Sequence, residues 1–406
     1  MARIIVTDGE TRTALAATRS LGRAGYEVAV VGALPMTLAG RSRFVKRRAV
    51  LANSELDPDA FASGIGALSA EWHADLVLPV TDGAMTSLLR KPIATLGGAR
   101  LIAPPRGAYE ALSDKAELLV HARAVGIPVP RTIRVELPSD LDSVAREVSF
   151  PCVLKPHRSV VPVGGVLRHV YVGYSKDVAS LKVLAARYPA SAYPMLIQER
   201  IVGQGEGAFF LMDQGRAVTA FAHRRIREYP VSGGASTYRE SIPVADDVRD
   251  CSERLLKSAG WHGAAMVEFK RSATTGIAYL MEVNGRLWGS LKLAIDSGID
   301  FPVLLARIAM GQAVPDALSS YKTGLRVRWF WGDVNHLLDR LRHSNVDLDL
   351  SPEAPSRVRA LLEFLKVHPI RDHAEVFAWD DPRPWLLESR TWLVEMFENA
   401  LKKLRR

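Results

Sequence analysis

Residues 266–290 read MVEFKRSATTGIAYLMEVNGRLWGS, and this stretch decides the fold of the 406-residue chain. Two apolar, strand-like runs flank a polar segment that ends at Gly276, which predicts a β-hairpin. Glu268 and Glu282 are equally distant from residue 275, which lies inside that segment, so a symmetric register places them opposite each other. Asn284 follows Glu282 by two residues and shares its face. The sequence therefore predicts that two carboxylates and one amide converge.

Facing carboxylates repel each other unless a positive charge lies between them. Oxygen ligands of this kind suit Mg²⁺ or Mn²⁺ bridging phosphate groups. The alternative is a solvated strand face on which each glutamate has a Lys or Arg partner. The two glutamates alone favour that alternative, but the following run from Asn284 to Ser290 favours a metal site.

The run resembles the ATP-grasp superfamily, in which a glutamate on one strand precedes Glu-x-Asn on the next, followed by Pro-Arg-x-x-Gly-Ser or a similar run. Gly285 stands here in place of the common proline. The resemblance implies that Glu268, Glu282 and Asn284 hold the Mg²⁺ or Mn²⁺ ions. It also implies that Arg286 stabilises phosphate or an acyl-phosphate intermediate.

The whole chain reads as an α/β region followed by an α+β region. Apolar strands and helices alternate at the start, including a helix predicted from Glu10 to Ala24. With the resemblance, this predicts an ATP-grasp fold with an N-terminal parallel α/β lobe and a C-terminal extension. We expect an N-terminal pre-ATP-grasp domain, a small lobe entered through a helix at 113–126, a C-terminal lobe with the metal site, and a Trp-rich, partly helical extension, at residues 1–110, 111–195, 196–315 and 316–406.

Two lysines and two glycines match the nucleotide phosphate site of the superfamily. Lys155 ends the strand-like run 152–155, and Lys115 follows Ser-Asp. By the resemblance both contact ATP phosphates, although a lysine at the end of an apolar strand is usually a solvated tip. Gly164 and Gly165 match the loop that covers the triphosphate. A plain hairpin turn explains these glycines almost as well.

Residues 197–203 resemble the hinge between the two lobes that hold ATP. The resemblance implies that Gln198, Glu199 and Ile201 contact adenine and that an acid seven residues after Glu199 binds the ribose hydroxyls. Glu206 has that spacing, and a carboxylate can accept from two neighbouring hydroxyls. Taken alone, Glu206 would be an ordinary loop acid.

The segment 223–237, HRRIREYPVSGGAST, is rich in arginine and ends in a glycine-containing turn. Guanidinium groups bind carboxylates through two hydrogen bonds. Alternate residues of an extended segment share a face, so we expect Arg225 and Arg227 to bind the acid substrate together. The alternative is a basic loop without such a role, and His223 is expected to be structural.

The resemblance implies an enzyme that transfers phosphate from ATP to a small carboxylate and couples the acyl phosphate to an amine, releasing ADP and phosphate. The most similar branch is that of the predicted carboxylate–amine ligases, near D-aspartate ligases and carbamoyl-phosphate-synthase-like members. An ATP-dependent carboxylase of the same fold and a nucleotide-binding regulator without turnover are the alternatives. The two metal glutamates disfavour the regulator, and the identities of acid and amine stay undetermined.

Composition excludes several other classes. The chain is 48% hydrophobic and 24% charged, which is typical of a globular protein, and two cysteines support neither a disulfide framework nor a zinc site. Its +9 charge comes from 40 Arg and 13 Lys that are scattered, so no nucleic-acid partner is expected. No signal peptide or membrane span is expected either, and a cytoplasmic location follows.

The end of the chain permits two interpretations. Residues 390–406 are expected to form an amphipathic helix, close to five of the eight tryptophans. The helix packs on the ATP-binding lobe or on a second subunit of a homodimer in the first interpretation. In the second it docks on the inner face of an anionic membrane through its terminal Lys-Lys-Leu-Arg-Arg, provided that the substrate is lipid-linked.

Overall fold

The computed structural model describes residues 1–91, 96–231, 234–314, 320–345, 347–348, 350 and 354–404. The N-terminal region alternates strands and helices, as predicted. Its elements are β1 (Arg3–Val6), α1 (Arg12–Arg23), β2 (Glu27–Gly32), β3 (Val45–Val50), α2 (Pro58–Trp72), β4 (Leu76–Leu78), α3 (Asp82–Leu89), β5 (Arg100–Leu101) and α4 (Arg106–Ser113).

These strands form a parallel sheet in the order β3-β2-β1-β4-β5. Helix α1 begins at Arg12, two residues after the predicted Glu10, because the Thr11 side chain accepts a hydrogen bond from Ala14 N and caps the helix. The carboxyl ends of β1 and β4 therefore lead directly into α1 and α3. In a parallel sheet, ligands bind at this edge.

The next region contains a small antiparallel sheet and a separate hairpin. Its elements are α5 (Lys115–Ala124), β6 (Thr132–Val135), α6 (Leu141–Val144), β7 (Cys152–Pro156), β8 (Val160–Val163), β9 (Val166–His169), β10 (Gly173–Ser175), α7 (Val178–Ala185) and β11 (Met195–Glu199). The sheet has the order β10-β7-β11-β6, and β8 pairs with β9 alone. Asp114 caps α5 by accepting from Ala116 N and Glu117 N, which fixes Lys115 as the first helical residue.

A larger antiparallel sheet carries the hairpin with which the sequence analysis began. The elements of this region are β12 (Gly203–Asp213), β13 (Arg216–Tyr229), β14 (Ala235–Ile242), α8 (Asp246–Ser258), β15 (Gly263–Ser272), β16 (Ala278–Asn284), α9 (Leu291–Ser297) and α10 (Phe301–Ala309). Consecutive residues of a strand face opposite sides. Phe209 therefore packs in the core shared with the N-terminal sheet, and Phe210 packs in the core that contains Trp261 and Phe269.

The C-terminal residues extend this same sheet. They form β17 (Arg326–Arg328), α11 (Phe330–Arg342), α12 (Arg357–Leu365), β18 (Asp372–Ala374) and α13 (Arg383–Leu404). The sheet order is β16-β15-β12-β13-β14-β17-β18, so the extension continues the strand layer that holds the hairpin. Helix α13 begins seven residues before the predicted start at residue 390.

Tryptophan side chains hold α13 against α11. Trp331 Nε1 donates to Ser389 Oγ and Trp392 Nε1 donates to Asn335 Oδ1, both at 2.9 Å. The rings of Trp331 and Trp392 stack with their centroids 4.2 Å apart. This packing within the chain gives no support to membrane docking, and residues 405–406 of the predicted basic cluster lie outside the described residues. Within the described ranges, none of the helices combines the length and the apolar character that crossing a membrane requires.

A buried ion pair joins the extension to the N-terminal sheet. Arg19 Nε donates to Asp381 Oδ2 at 2.9 Å, and neither side chain is accessible to solvent. Asp381 also accepts from Ser42 Oγ at 2.6 Å and from Arg43 N at 2.9 Å. The chain therefore closes on itself, since residues near its start bind residues near its end.

The variant Asp381→Ala leaves the Arg19 guanidinium buried without its partner. We expect the free energy of unfolding to fall by about 3–5 kcal/mol, measured by urea denaturation. The matched control is Asp380→Ala, because Asp380 pairs with Arg23 through side chains that are each 47% exposed. That control should lose less than about 1 kcal/mol. Equal losses in the two variants would contradict the role of Asp381.

Candidate functional site

The site is built at the end of the β15–β16 hairpin. Glu268 lies opposite Glu282, as the symmetric register predicts. Beyond this pair a bulge shifts the register by one residue toward the turn, so that Phe269 lies opposite Leu280. Met281 is the extra residue. Without it the register next to the turn would place Glu268 opposite Met281, so the bulge restores the predicted pairing of the two carboxylates.

Asn284 completes the carboxylate cluster. Its Nδ2 lies 3.4 Å from Glu268 Oε1 and 3.2 Å from Glu282 Oε1. The glutamate side chains are 25% and 31% exposed, respectively. A rotation of the amide presents Oδ1 to the same space, which gives an all-oxygen set that fits Mg²⁺ or Mn²⁺. In the described ranges no group of three or more His, Cys, Asp and Glu side chains is placed to hold a metal ion, so this fit depends on the amide as third ligand.

Basic side chains neutralise the glutamates. Lys115 Nζ lies 3.4 Å from Glu282 Oε2 and donates to Ser159 Oγ at 2.9 Å. Arg225 Nη2 lies 3.5 Å from Glu268 Oε2. Each glutamate thus has the Lys or Arg partner that is expected if the pair is an ordinary solvated strand face and not a metal site. Lys115 is only 7% exposed, however, so this is not a solvated strand face.

The same surroundings shift the pKa values of the two carboxylates in opposite directions. Burial and the adjacent Glu282 raise the pKa of Glu268. Burial also acts to raise the pKa of Glu282, but Lys115, the Asn284 hydrogen bond and Lys155 outweigh it and lower that pKa. Burial lowers the pKa of Lys155 to about 8. Lys155 Nζ lies 3.8 Å from Met281 Sδ, so this lysine also reaches the hairpin.

Arg286 connects the hairpin to the N-terminal sheet. Its Nε donates to Asp82 Oδ2 and its Nη1 to the Leu287 carbonyl, at 2.8 and 3.0 Å. Asp82 is the first residue of α3 and follows the carboxyl end of β4 after three residues. The sequence analysis did not identify Asp82. Its position after a strand of the parallel sheet could have indicated a site residue, because ligands bind at the carboxyl edge of such a sheet.

Two cavities meet at Glu282 and Asn284, which line both. The first, here called the lysine cavity, has a volume of about 360 Å³ and is also lined by Lys115, His157, Arg158 and Ser159. The second, here called the arginine cavity, has a volume of about 240 Å³ and is also lined by Arg12, Arg225, Glu268, Arg286, Gly289 and Ser290. The hairpin end therefore separates two spaces, each with basic side chains in its wall.

Gly164 and Gly165 form the two-residue turn between β8 and β9. Both have positive φ, +60° and +85°, and a Cβ at either position would meet nothing within 4 Å. The left-handed backbone, not crowding, is thus what favours glycine here. Val161 and Leu167 of this hairpin line the lysine cavity. The geometry is that of a hairpin turn, and the predicted contact with phosphate stays a prediction.

The predicted adenine-binding residues lie along β11 and just beyond it. Gln198 is buried and its Nε2 donates to Thr132 Oγ1 at 3.1 Å. Glu199 Oε1 accepts from Arg131 N at 2.7 Å. Ile201 follows the end of β11 and is partly buried. These contacts fix the segment without bringing the two side chains to the hairpin end, and adenine binding stays a prediction.

Glu206 lies on the other face of the large sheet from Glu268. It pairs with Phe269, whose side chain is buried in the Trp261 core, and paired residues share a face. Its carboxylate accepts from Arg271 Nε and Nη2 at 2.5 and 2.8 Å. The structure therefore does not bring Glu206 to the metal residues, and Arg271 occupies the carboxylate that was predicted to bind ribose.

The expectation that Arg225 and Arg227 share a face is wrong. A bulge at Ile226 places Arg225 opposite Arg239 but Arg227 opposite Tyr238, and adjacent residues of β14 face opposite sides. Arg225 reaches Glu268, as described above. Arg227 instead donates to both oxygens of the buried Asp333, at 2.6 and 2.7 Å, and its guanidinium lies over the Tyr238 ring. Of the two, only Arg225 lines the arginine cavity.

His223 has the structural position that was expected. It is buried, stacks on Phe209 with centroids 4.9 Å apart, and its Nε2 lies 2.7 Å from Ser290 Oγ. Burial lowers its pKa well below the usual value for histidine. The neutral ring therefore holds Ser290 at the wall of the arginine cavity.

Arg12 is a wall residue that sequence reasoning missed. It is the first residue of α1, at the carboxyl end of β1, and it lines the arginine cavity. Its guanidinium lies 3.4 Å over the Trp329 ring and 3.7 Å from Glu375 Oε2. Nε of Arg12 is buried and has no hydrogen-bond partner. As with Asp82, the only feature of the sequence that pointed to Arg12 was the end of the parallel strand before it.

Comparisons with known proteins show which sequences and folds this chain resembles. A family model described as "ATP-grasp in the biosynthetic pathway with Ter operon" matches residues 191–332. The carbamoyl phosphate synthase large chain of Methanoculleus marisnigri is 22% identical over 325 residues, which are 75% of this chain and 28% of that protein. The chain thus spans less than a third of the length of this relative.

Two solved structures have a similar fold. The biotin carboxylase domain dimer of Hydrogenobacter thermophilus 2-oxoglutarate carboxylase, in complex with MgADP, ADP and bicarbonate, has a TM-score of 0.64 at 15% identity and covers 80% of this chain and 73% of that one. The L-amino acid ligase of Bacillus licheniformis has a TM-score of 0.59 at 17% identity, with 76% and 74% covered. At these identities the likeness shows the fold alone. Family model, relative and fold agree, and the chain belongs to the ATP-grasp superfamily.

Proposed function

We propose that this chain is an ATP- and Mg²⁺-dependent ligase. In this proposal it phosphorylates a small carboxylate, such as an amino acid, and joins the acyl phosphate to an amine with release of ADP and phosphate. The observation that carries the proposal is the meeting of the lysine and arginine cavities at Glu282 and Asn284. A polyphosphate suits the lysine side, and a planar carboxylate suits the arginine side.

The fold comparisons support an ATP-dependent enzyme and are compatible with both chemistries. The neighbour solved with MgADP is a biotin carboxylase domain, and another neighbour is an L-amino acid ligase. The sequence from Asn284 to Ser290 resembles the predicted carboxylate–amine ligases, near D-aspartate ligases. A carboxylase shares the fold, but no side chain described above favours bicarbonate over a larger acid.

The first step is transfer of a phosphoryl group, which requires positioning and neutralisation of charge. An oxygen of the acid bonds to the γ-phosphorus, and the bond from phosphorus to the ADP oxygen breaks. Lys115, in the wall of the lysine cavity, binds phosphate oxygens. Lys155 lies outside that wall but reaches the hairpin at Met281, and it binds phosphate oxygens from there. Mg²⁺ held by Glu268, Glu282 and Asn284 supplies further positive charge to the phosphates when it is bound.

The second step forms the amide. Arg225 and Arg286 hold the acid before transfer and stabilise the negative charge of the acyl phosphate after it. The amine nitrogen bonds to the acyl carbon and gives up a proton to the departing phosphate, as the carbon–oxygen bond to phosphate breaks. Phosphate leaves with the electron pair. No side-chain nucleophile is required, because phosphate itself activates the acid.

A screen of acid and amine pairs with Mg-ATP tests the proposal, with ADP release and product mass as readouts. ADP release that needs both an acid and an amine supports a ligase. Release that needs bicarbonate instead of a larger acid would favour the carboxylase. Nucleotide binding without ADP release for any pair would contradict both enzymes and favour the regulator.

The variant Glu282→Gln should lower ADP release at least about 100-fold, because it removes a charged metal ligand without changing side-chain size. Thermal unfolding should stay unchanged within a few degrees. The control Glu136→Gln alters an exposed glutamate in the small lobe and should keep full activity. Wild-type turnover in Glu282→Gln would overturn the metal assignment.

Nucleotide affinity should depend on pH through Lys155, whose pKa is lowered to about 8 by burial. Below pH 8 the charged ammonium binds phosphate, and above it the free enzyme loses the proton, so affinity falls by up to about tenfold per pH unit. Titration calorimetry with MgADP between pH 7 and 9.5 measures this fall. The variant Lys155→Arg keeps its charge and should remove the fall. The same pH profile in wild type and variant would exclude Lys155 as its source.

A further inference from the structure

A third cavity lies beside the arginine cavity and has no role in the steps above. It has a volume of about 650 Å³ and is here called the tryptophan cavity, because Trp329, Trp331 and Trp392 form part of its wall. It lies between the start of α1, the loop after β2, and helices α11 and α13. Arg12 and Gly289 line both this cavity and the arginine cavity. The two spaces are therefore immediate neighbours.

The wall of the tryptophan cavity is rigid and largely apolar. The three indole N–H groups are fixed by Glu388, Ser389 and Asn335, each at 2.9 Å. The rings are thus held in place without a ligand. Leu34 and Met36 complete the wall, and both are more than half exposed at its rim. A pre-formed space of this size with aromatic walls suits the apolar body of a small molecule.

The charged side chains in the walls of the two neighbouring cavities differ. The arginine cavity has three arginines in its wall, Arg12, Arg225 and Arg286, against the two glutamates of the predicted metal site, Glu268 and Glu282. The tryptophan cavity has three glutamates, and among the described residues that line it Arg12 is the sole Lys or Arg side chain. That guanidinium is already stacked on Trp329. The acids that face the tryptophan cavity are Glu10, Glu388 and Glu395.

The carboxylates of Glu10 and Glu388 differ in the number of hydrogen bonds that they already accept. Glu10 Oε1 accepts from Ala33 N and Leu34 N, at 2.6 and 3.1 Å. Glu388 Oε1 accepts from Trp329 Nε1. Burial raises the pKa of Glu388 to about 7, although the Trp329 hydrogen bond and the nearby Arg12 act to lower it. Carboxylates beside aromatic faces are the groups that attract an ammonium ion.

We propose that the tryptophan cavity binds the amine substrate, a primary amine on an apolar or aromatic body. The inference rests on the proposed ligase, because it assigns that enzyme's second substrate. The acid lies among the arginines, and the amine nitrogen reaches its acyl phosphate past Arg12 and Gly289. The bonds made and broken are those of the second step described above.

Binding of three probes to the full chain without nucleotide tests the inference. Tryptamine and 3-indolepropionate carry the same ring with opposite charges, and ethanolamine carries the amine without the ring. Titration calorimetry should give tryptamine an affinity at least about tenfold higher than either of the others. Stronger binding of 3-indolepropionate would assign the cavity to the acid instead. No binding of tryptamine would also overturn the inference.

Two variants locate the binding. Leu34→Ser removes an apolar rim residue that is 57% exposed, and its control Leu137→Ser changes a leucine that is 59% exposed in the small lobe. We expect the first to weaken tryptamine binding about fivefold and the second to leave it unchanged. Glu388→Gln should weaken tryptamine but not 3-indolepropionate, while Gln still accepts from Trp329. Equal effects of both leucine variants would place the probe elsewhere.

Failure of the ligase proposal is a separate result. ADP release that needs an acid and a small polar amine, with no selective binding of tryptamine, would keep the ligase and overturn the assignment of this cavity. Selective tryptamine binding with no ADP release for any acid would overturn the ligase. In that case the cavity binds an amine that is not a substrate.

Discussion

Two carboxylates on facing strands are the constraint around which the rest of the site is arranged. Glu268 and Glu282 are paired by the hairpin register and cannot move apart without breaking it. The Asn284 amide bonds to both, and positive charge from outside the hairpin relieves their repulsion further. Lys115 comes from the start of a helix and Arg225 from a neighbouring strand. The hairpin thus requires these elements to pack around it.

The same requirement explains why the chain closes on itself. Arg286 reaches Asp82 of the N-terminal region, which brings the edge of the parallel sheet to the hairpin end. The C-terminal strands extend the large sheet, and Asp381 binds Arg19 of the first helix. The arginine and tryptophan cavities lie at this junction. Their walls therefore combine residues from the beginning, middle and end of the sequence.

Sequence reasoning succeeded where the relevant geometry is local. Strand alternation and a symmetric register predicted that Glu268 pairs with Glu282 on one hairpin, and the pairing is correct. The bulge at Met281, which the observed register also requires, was not predicted. It failed for Arg227, since nothing in an alternating pattern reveals the bulge at Ile226. The face of Glu206 depends on its register with a distant strand. Arg12 joins the site through tertiary packing, because its neighbours at the site are distant in sequence, and its position after a parallel strand was the one signal in the sequence.

The central claim is that the end of this hairpin holds a divalent cation together with nucleotide phosphates. A crystal of the full chain grown with Mn²⁺ and ADP, measured at the manganese absorption edge, tests it most directly. The account predicts anomalous density for manganese within about 2.5 Å of carboxylate oxygens of both Glu268 and Glu282, with the phosphates of ADP directed toward Lys115. Manganese and phosphates bound away from the hairpin would contradict it.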